Sequence, residues 1–283
     1  MNHRVIARLD IKGPNLVKGI HLEGLRVMGK PEDFASYYYK SGVDELLYMD
    51  VVASLYDRNS LKDIITRTAK NIFIPLTVGG GLRTIEDITD VLRYGADKVS
   101  LNTAAIKNPE LIKQASEAFG SSTIVVVIEA IKQNDGKYLC YTDNAREYTG
   151  VEAFEWAQRA EELGAGELIV TSVDREGTGE GFDIELTRKI SDSVKIPVVA
   201  HGGPGKLEHF KEVIEEGHAD AVCAASMLHY SYAAKNKFVN EFSKEGNATF
   251  INSGKTFGKI DKAEIYDIKK YLTDNGIDCR YKS

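Results

Sequence analysis

The chain has 283 residues, of which 43% are hydrophobic and 28% charged, and a formal net charge of −6. That length suits one sizeable core, and the acidic balance argues against a general nucleic-acid or membrane-surface binder. No apolar run approaches the roughly 20 residues of a membrane span. The N-terminus, MNHRVIARLDIKG, enters a strand without the apolar region of a signal peptide. Cys140, Cys223 and Cys279 are odd in number and in no metal-ligand spacing, so the expectation is a reducing cytoplasm, no metal and no cofactor.

Taken in order, Arg4–Ile11 alternates as a first strand, with Val5, Ala7 and Leu9 on one face and Arg4, Ile6, Arg8 and Asp10 on the other. Residues 12–28 are punctuated by glycine, have no clean period, and are expected to form a long loop. Pro31–Ser41 predicts a helix, Asp44–Asp50 a strand and Ser60–Ala69 a helix. Leu76–Val78 is an apolar run ending in Gly79–Gly81; a helix-period segment, the strand Lys98–Leu101 and the polar turn Asn102-Thr103-Ala104 follow. Pro109–Phe119 reads as a helix, and Thr123–Ile128 as a buried strand with Glu129 at its end. Asn134-Asp135-Gly136 predicts a hairpin within Lys132–Tyr148. Val151–Leu163, with the only Trp, Trp156, reads as a helix, Glu167–Val173 as a strand and Ile184–Ser191 as a helix. Two strands flank a helix between Pro197 and Leu228, and Ile265–Asn275 predicts a closing helix ended by Gly276. The stretch 231–263 is polar, glycine-bearing and longer than a connection needs, and is expected to be an irregular insertion after strand eight.

The second half echoes the first. Gly203 follows Gly80 at the same separation that divides Ser226 from Thr103, and Asp50 with Asp174, Glu45 with Glu167, and Asp10 with Glu129 fall at nearly that offset. A sequence repeating itself at half its length suggests two fused half-structures. Two alternating β/α halves of this size predict a single α/β domain over 1–283, a closed (β/α)8 or TIM barrel.

In such a barrel Asp10 and Glu129 end opposite strands and face one mouth, where two carboxyls can divide general-acid and general-base work. Each could instead cap a loop or pair with Lys12, Lys18 or Lys132. Two matched anion sites are expected on opposite rims, one at Gly81, Asn102 and Thr103, the other at Gly177, Gly203, Ala225 and Ser226, because glycine turns bare their N–H groups beside a helix start. Such a pair implies a long substrate with a phosphate at each end, and Lys18 is a candidate clamp on it. At the opposite end Arg4, Glu45, Lys98 and Glu167 begin four strands. They can form a charged ring across the barrel floor, either a plug of ion pairs or a gate on an axial passage.

LDIKGPNLVKG, DELLYMDVVAS, VGGGLRTIEDI, GADKVSLNTAA, GAGELIVTSVDREGTGEGFD and HGGPGKLEHF together resemble the cyclase subunit of imidazole glycerol phosphate synthase. The resemblance runs from Arg4 to about Tyr230 and resumes at Ile265–Arg280. It implies a separate glutaminase subunit docked on the barrel floor, whose ammonia passes the charged ring. At the mouth a twin-phosphate aminoimidazole ribotide precursor would form an imine and close the imidazole, releasing imidazole glycerol phosphate and aminoimidazole carboxamide ribotide. Asp10 matches the family's catalytic acid. Glu129 stands where the family has Asp, Arg8 where it has a small cysteine, and His201 and Pro204 alter the second glycine turn. A buried Arg8 needs a partner, and Glu129 is the expected one; that pairing would hold Glu129 ionised. These departures leave two other readings open: a paralogue relaying ammonia to a surface-sugar amidotransferase, and a silent scaffold that binds a glutaminase.

Overall fold

The computed structural model describes residues 2–53, 61–235 and 259–281. Eight parallel strands, β1 (Arg4–Lys12), β4 (Glu45–Asp50), β5 (Leu76–Gly79), β6 (Lys98–Leu101), β7 (Ile124–Lys132), β10 (Glu167–Ser172), β11 (Val198–His201) and β12 (Ala221–Ala224), close into a barrel. Closure is completed by β12 beside β1, with Arg4 opposite Ala221, and by β7 beside β10, with Val125 opposite Glu167. The chain is thus the (β/α)8 barrel that the half-length repeat predicts.

Strand alternation creates two cores. Outward residues such as Val5, Ala7 and Leu9 pack under the helices, while Ile6, Leu47, Val125, Val127, Ile169, Val199, Ala221 and Cys223 fill the lower interior. Each fully buried aliphatic side chain stabilises by roughly 1.5–3 kcal/mol relative to exposure, and both faces of the strands contribute. Some helices start at side-chain caps: Thr84 and Asp87 form a capping box for Ile85–Arg93, and Asp183 accepts the Leu186 N–H at 3.0 Å to open Ile184–Ser191. No helix among the described residues is long and apolar enough to cross a membrane.

Two corrections concern the mouth. Residues 12–28 are not a long loop. β1 runs past the barrel rim into an antiparallel hairpin of β2 (Asn15–Ile20) and β3 (Glu23–Gly29). Its two-residue turn, His21 and Leu22, adopts left-handed φ of 53° and 60° without the Gly or Asn such a turn favours. The other half does the same: β7 continues past Glu129 into β8 (Tyr138–Thr142), which pairs with β9 (Glu147–Glu152). The hairpin around Asn134-Asp135-Gly136 is therefore present, and Glu129 lies within its strand, not at its end.

Two further differences are smaller. Asn102-Thr103-Ala104 is a helix start, not a turn, because Thr103–Lys107 winds into a short helix. Of the stretch expected to be irregular, 231–235 continues the helix Ser226–Lys235, and 236–258 lies outside the described residues. Ile260 and Ala263 are buried, and the Asp261 N–H reaches the Gly205 carbonyl at 2.8 Å.

Candidate functional site

The inward parity of β1 places Arg4, Arg8 and Asp10 at three levels of one interior, and the two carboxyls sit at its upper level. Asp10 and Glu129 are 2% and 3% exposed, too little for water to stabilise their charge. Arg8 is fully buried, and its Nε donates to Asp10 Oδ1 at 2.7 Å. This corrects the expected Arg8–Glu129 pair: the partner is two residues along the same strand. On that spacing two side chains project from one face, a distance a long guanidinium spans easily. Arg8 Nη1 lies 3.4 Å from His201 Nδ1, which also meets the Thr171 hydroxyl at 3.1 Å. A guanidinium only donates, so Nδ1 accepts and the ring proton sits on Nε2. Burial, then the charges of Arg8 and Lys18, hold His201 well below its ordinary pKa, so the ring is neutral. Burial opposes the charge on Arg8, but Asp10 and Glu129 outweigh it and keep the guanidinium protonated.

Glu129 accepts one neutral donor, the Ala145 N–H at 3.0 Å. Burial pushes its carboxyl up to about 7, against the lowering pull of Arg8 and the Ala145 bond and with a further upward push from Asp10 and Asp143. Burial thus favours its neutral form, which differs from the fixed anion that the expected ion pair required.

The first predicted anion set gathers as the repeat implies: Gly81, Asn102 and Thr103 line one cavity of about 150 Å3 together with Glu129, Asp50 and Lys107. The second set, Gly177, Gly203, Ala225 and Ser226, lines a smaller pocket with His201 and Glu176. Both pockets open beyond the carboxyl ends of strands (β5 and β6, β11 and β12), hence at the same end of the barrel and on opposite sides. Lys18, the candidate clamp, is buried, ion-paired with Glu176 and bonded at 2.7 Å to the Gly19 carbonyl.

Sequence reasoning missed the clasp above these pockets. Glu176, besides holding Lys18, accepts the Leu22 N–H at 3.0 Å, and its own carbonyl accepts the His21 N–H at 2.9 Å. Asn144 in the second hairpin donates to the Leu22 carbonyl at 2.6 Å, and the Asp143 N–H reaches the Thr103 hydroxyl at 3.0 Å. Asp143, Asn144 and Ala145 all have left-handed φ, 53° to 62°. Three such non-glycine residues in a row persist because this turn aims its backbone at Glu129 and Thr103.

At the floor the four predicted residues close into a ring. Arg4 bonds Glu45 at 3.0 Å and also pairs with Glu167; Lys98 reaches Glu45 at 3.1 Å and Glu167 at 3.0 Å. Thr77 adds a hydroxyl bond to Glu45 at 2.5 Å. Among the described residues no group of three or more His, Cys, Asp or Glu side chains is arranged to hold a metal ion.

A closed eight-stranded parallel barrel, with a buried carboxyl pair at one end and an ion-pair ring at the other, defines a (β/α)8-barrel protein. The sequence pattern of the family described as "Histidine biosynthesis protein" matches residues 4–233. The chain is 56% identical over 209 residues to the imidazole glycerol phosphate synthase subunit HisF of Legionella pneumophila, covering 74% of this chain and 99% of that one. It is 45% identical over 244 residues to the subunit of the same name from Clostridium botulinum (strain Langeland / NCTC 10281 / Type F), covering 86% and 96%. The chain belongs to the histidine biosynthesis protein family, on the branch of the imidazole glycerol phosphate synthase cyclase subunits.

Proposed function

We propose that Asp10 and Glu129 carry the acid–base chemistry of an ammonia-using cyclase working in the cytoplasm without metal or cofactor. Its substrate is a bis-phosphorylated aminoimidazole ribotide precursor, and its products are imidazole glycerol phosphate and aminoimidazole carboxamide ribotide. The observation that carries this reading is the paired arrangement of the mouth. Each half presents a glycine turn and a hydroxyl residue in its own pocket, and the first of these pockets also contains Glu129. Gly81, Asn102 and Thr103 hold one phosphate; Gly177, Gly203, Ala225 and Ser226 hold the other, which leaves the middle of the substrate over the carboxyls. Lys18 acts through Glu176, seating the first hairpin at the rim.

Ammonia adds to the precursor's carbonyl carbon, and the oxygen leaves as water once protonated. Ring closure then expels an amine, which also takes a proton, while the attacking nitrogen gives one up. One group must donate and another accept, and two carboxyls with different surroundings supply both. The ammonia comes from a glutaminase subunit on the N-terminal face, where Phe73, just before β5, is 81% exposed. Arg4, Glu45, Lys98 and Glu167 act as the gate it must pass.

The test is purified protein with an ammonium salt and the ribotide precursor. Formation of both products in equal amounts supports the reading, as does growth of a histidine auxotroph lacking its own cyclase. Tight precursor binding without turnover overturns it.

A further inference from the structure

We propose that Arg8 is a positioning residue that divides the work of the two carboxyls, keeping Asp10 as the proton acceptor and leaving Glu129 as the proton donor. This rests on the cyclase reading above and reverses the role the family resemblance gives to Asp10.

Asp10 and Glu129 are equivalent positions of the two half-barrels, and identical surroundings would give them closely similar tendencies to hold a proton. The residue two before each carboxyl breaks the equivalence: Arg8 in the first half, Val127 in the second. Both are buried and face the interior. Arg8 places its Nε on Asp10 Oδ1 and its Nη1 toward neutral His201. It makes no hydrogen bond to Glu129, whose bonded partner is the uncharged Ala145 N–H. Asp10 therefore has a cation in contact, whereas Glu129 has burial and two acidic neighbours, Asp10 and Asp143, which favour its neutral form.

The remaining charges do not even the balance. Lys18 and Glu176 are paired with each other. Asp143 is 3.5 Å from the exposed Lys107, and Asp50, Arg83 and Lys107 line the cavity beside Glu129. Among the described residues, Arg8 is the cation hydrogen-bonded to Asp10 and not to Glu129. Each proton that the attacking nitrogen loses goes to Asp10, each proton that the departing oxygen and then the departing amine gain comes from Glu129, and after every transfer solvent carries the proton from Asp10 back to Glu129.

The experiment follows ammonium-driven turnover of the precursor by the full chain from about pH 5 to about pH 9. In the wild type, kcat falls as pH rises through about 7, where Glu129 loses its proton. Glu129→Gln abolishes that limb. Asp10→Asn keeps it and moves it lower, because Glu129 loses an acidic neighbour while Arg8 is released. Arg8→Met moves the limb up by roughly one pH unit and lowers kcat about tenfold or more, whereas Arg8→Lys, which keeps the charge, leaves the limb near its wild-type position. A limb that survives Glu129→Gln and vanishes in Asp10→Asn overturns the assignment, and so does Arg8→Met with a wild-type profile. The infrared band of a protonated carboxyl gives a readout without turnover. It should bleach near pH 7 in the wild type and at lower pH in Asp10→Asn, but be absent in Glu129→Gln; a band that survives Glu129→Gln and is lost in Asp10→Asn overturns the proposal. A wild type that makes no product at any pH sinks the cyclase reading, and the infrared comparison then still decides which carboxyl holds the proton.

Discussion

Replacing Glu129 with glutamine should stabilise the protein increasingly as pH rises above about 5. The folded protein raises the Glu129 carboxyl from 4.5 to about 7, chiefly through burial. At about 1.4 kcal/mol for each pH unit, the neutral form is favoured by roughly 3 kcal/mol. The sign follows from linkage. Below pH 4.5 the carboxyl is protonated whether the chain is folded or not, and nothing is lost. Between 4.5 and 7 the unfolded chain ionises while the folded one does not, so stability falls with pH; above about 7 the loss is complete. Glutamine has the same shape, can accept the Ala145 N–H through its amide oxygen, and does not titrate.

Urea midpoints of both proteins, measured at several pH values from about 5 to about 8, isolate this one group, because every other titration common to both cancels in the difference. The gain of Glu129→Gln should grow from under about 1 to about 3 kcal/mol across that range. A difference that stays flat would show that Glu129 is not held neutral by burial, and the acid role assigned to it would fall as well. The variant should gain this stability while losing turnover, because the strain belongs to the site.

Three other perturbations probe the rest of the frame. Gly203→Ala places a Cβ against the Gly181 carbonyl at a residue whose φ is 111°; precursor KM should rise about tenfold or more, and inorganic phosphate should compete less well. Glu176→Gln leaves buried Lys18 without its counter-charge and should cost about 3–5 kcal/mol, with hydrogen exchange rising across Asn15–Gly29; Lys18→Met with Glu176→Met should recover much of the stability. Lys98→Met opens the floor ring on one side, and with a glutaminase partner present the ratio of glutamine-driven to ammonium-driven turnover should change by about tenfold.

The barrel was legible because parallel strands buried on both faces read as short apolar runs, TIVVVI among them, bounded by glycine and charge. The floor ring was legible from position alone: Arg4, Glu45, Lys98 and Glu167 each open a strand, and in a closed barrel such residues converge. The glycine turns with Thr103 and Ser226 were legible because the repeat doubles each signal. The hairpin β2–β3 was not. Its turn is His21-Leu22, which lacks the Asn-Gly that marks a left-handed two-residue turn. What makes that turn tolerable is remote in sequence: Glu176 and Asn144 take up the Leu22 N–H and carbonyl, and the Leu22 side chain is buried. Local rules cannot foresee strain that contacts 122 and 154 residues away compensate.

The partner of Arg8 was misjudged for a related reason. Reading the two halves as equivalent draws attention across the barrel, from Arg8 toward Glu129, although alternation along β1 already puts Arg8 and Asp10 on one face. A repeat reports what its halves share, while the division of labour between two matched carboxyls needs something they do not share. Here that difference is Arg8 against Val127, a guanidinium where the other half has an isopropyl group. Moving it tests the point: Arg8→Val with Val127→Arg should pair the new guanidinium with Glu129, lower that carboxyl, and shift the infrared band near pH 7 off Glu129. If the band stays on Glu129 in the swapped protein, burial alone sets the roles, and Arg8 has no part in assigning them.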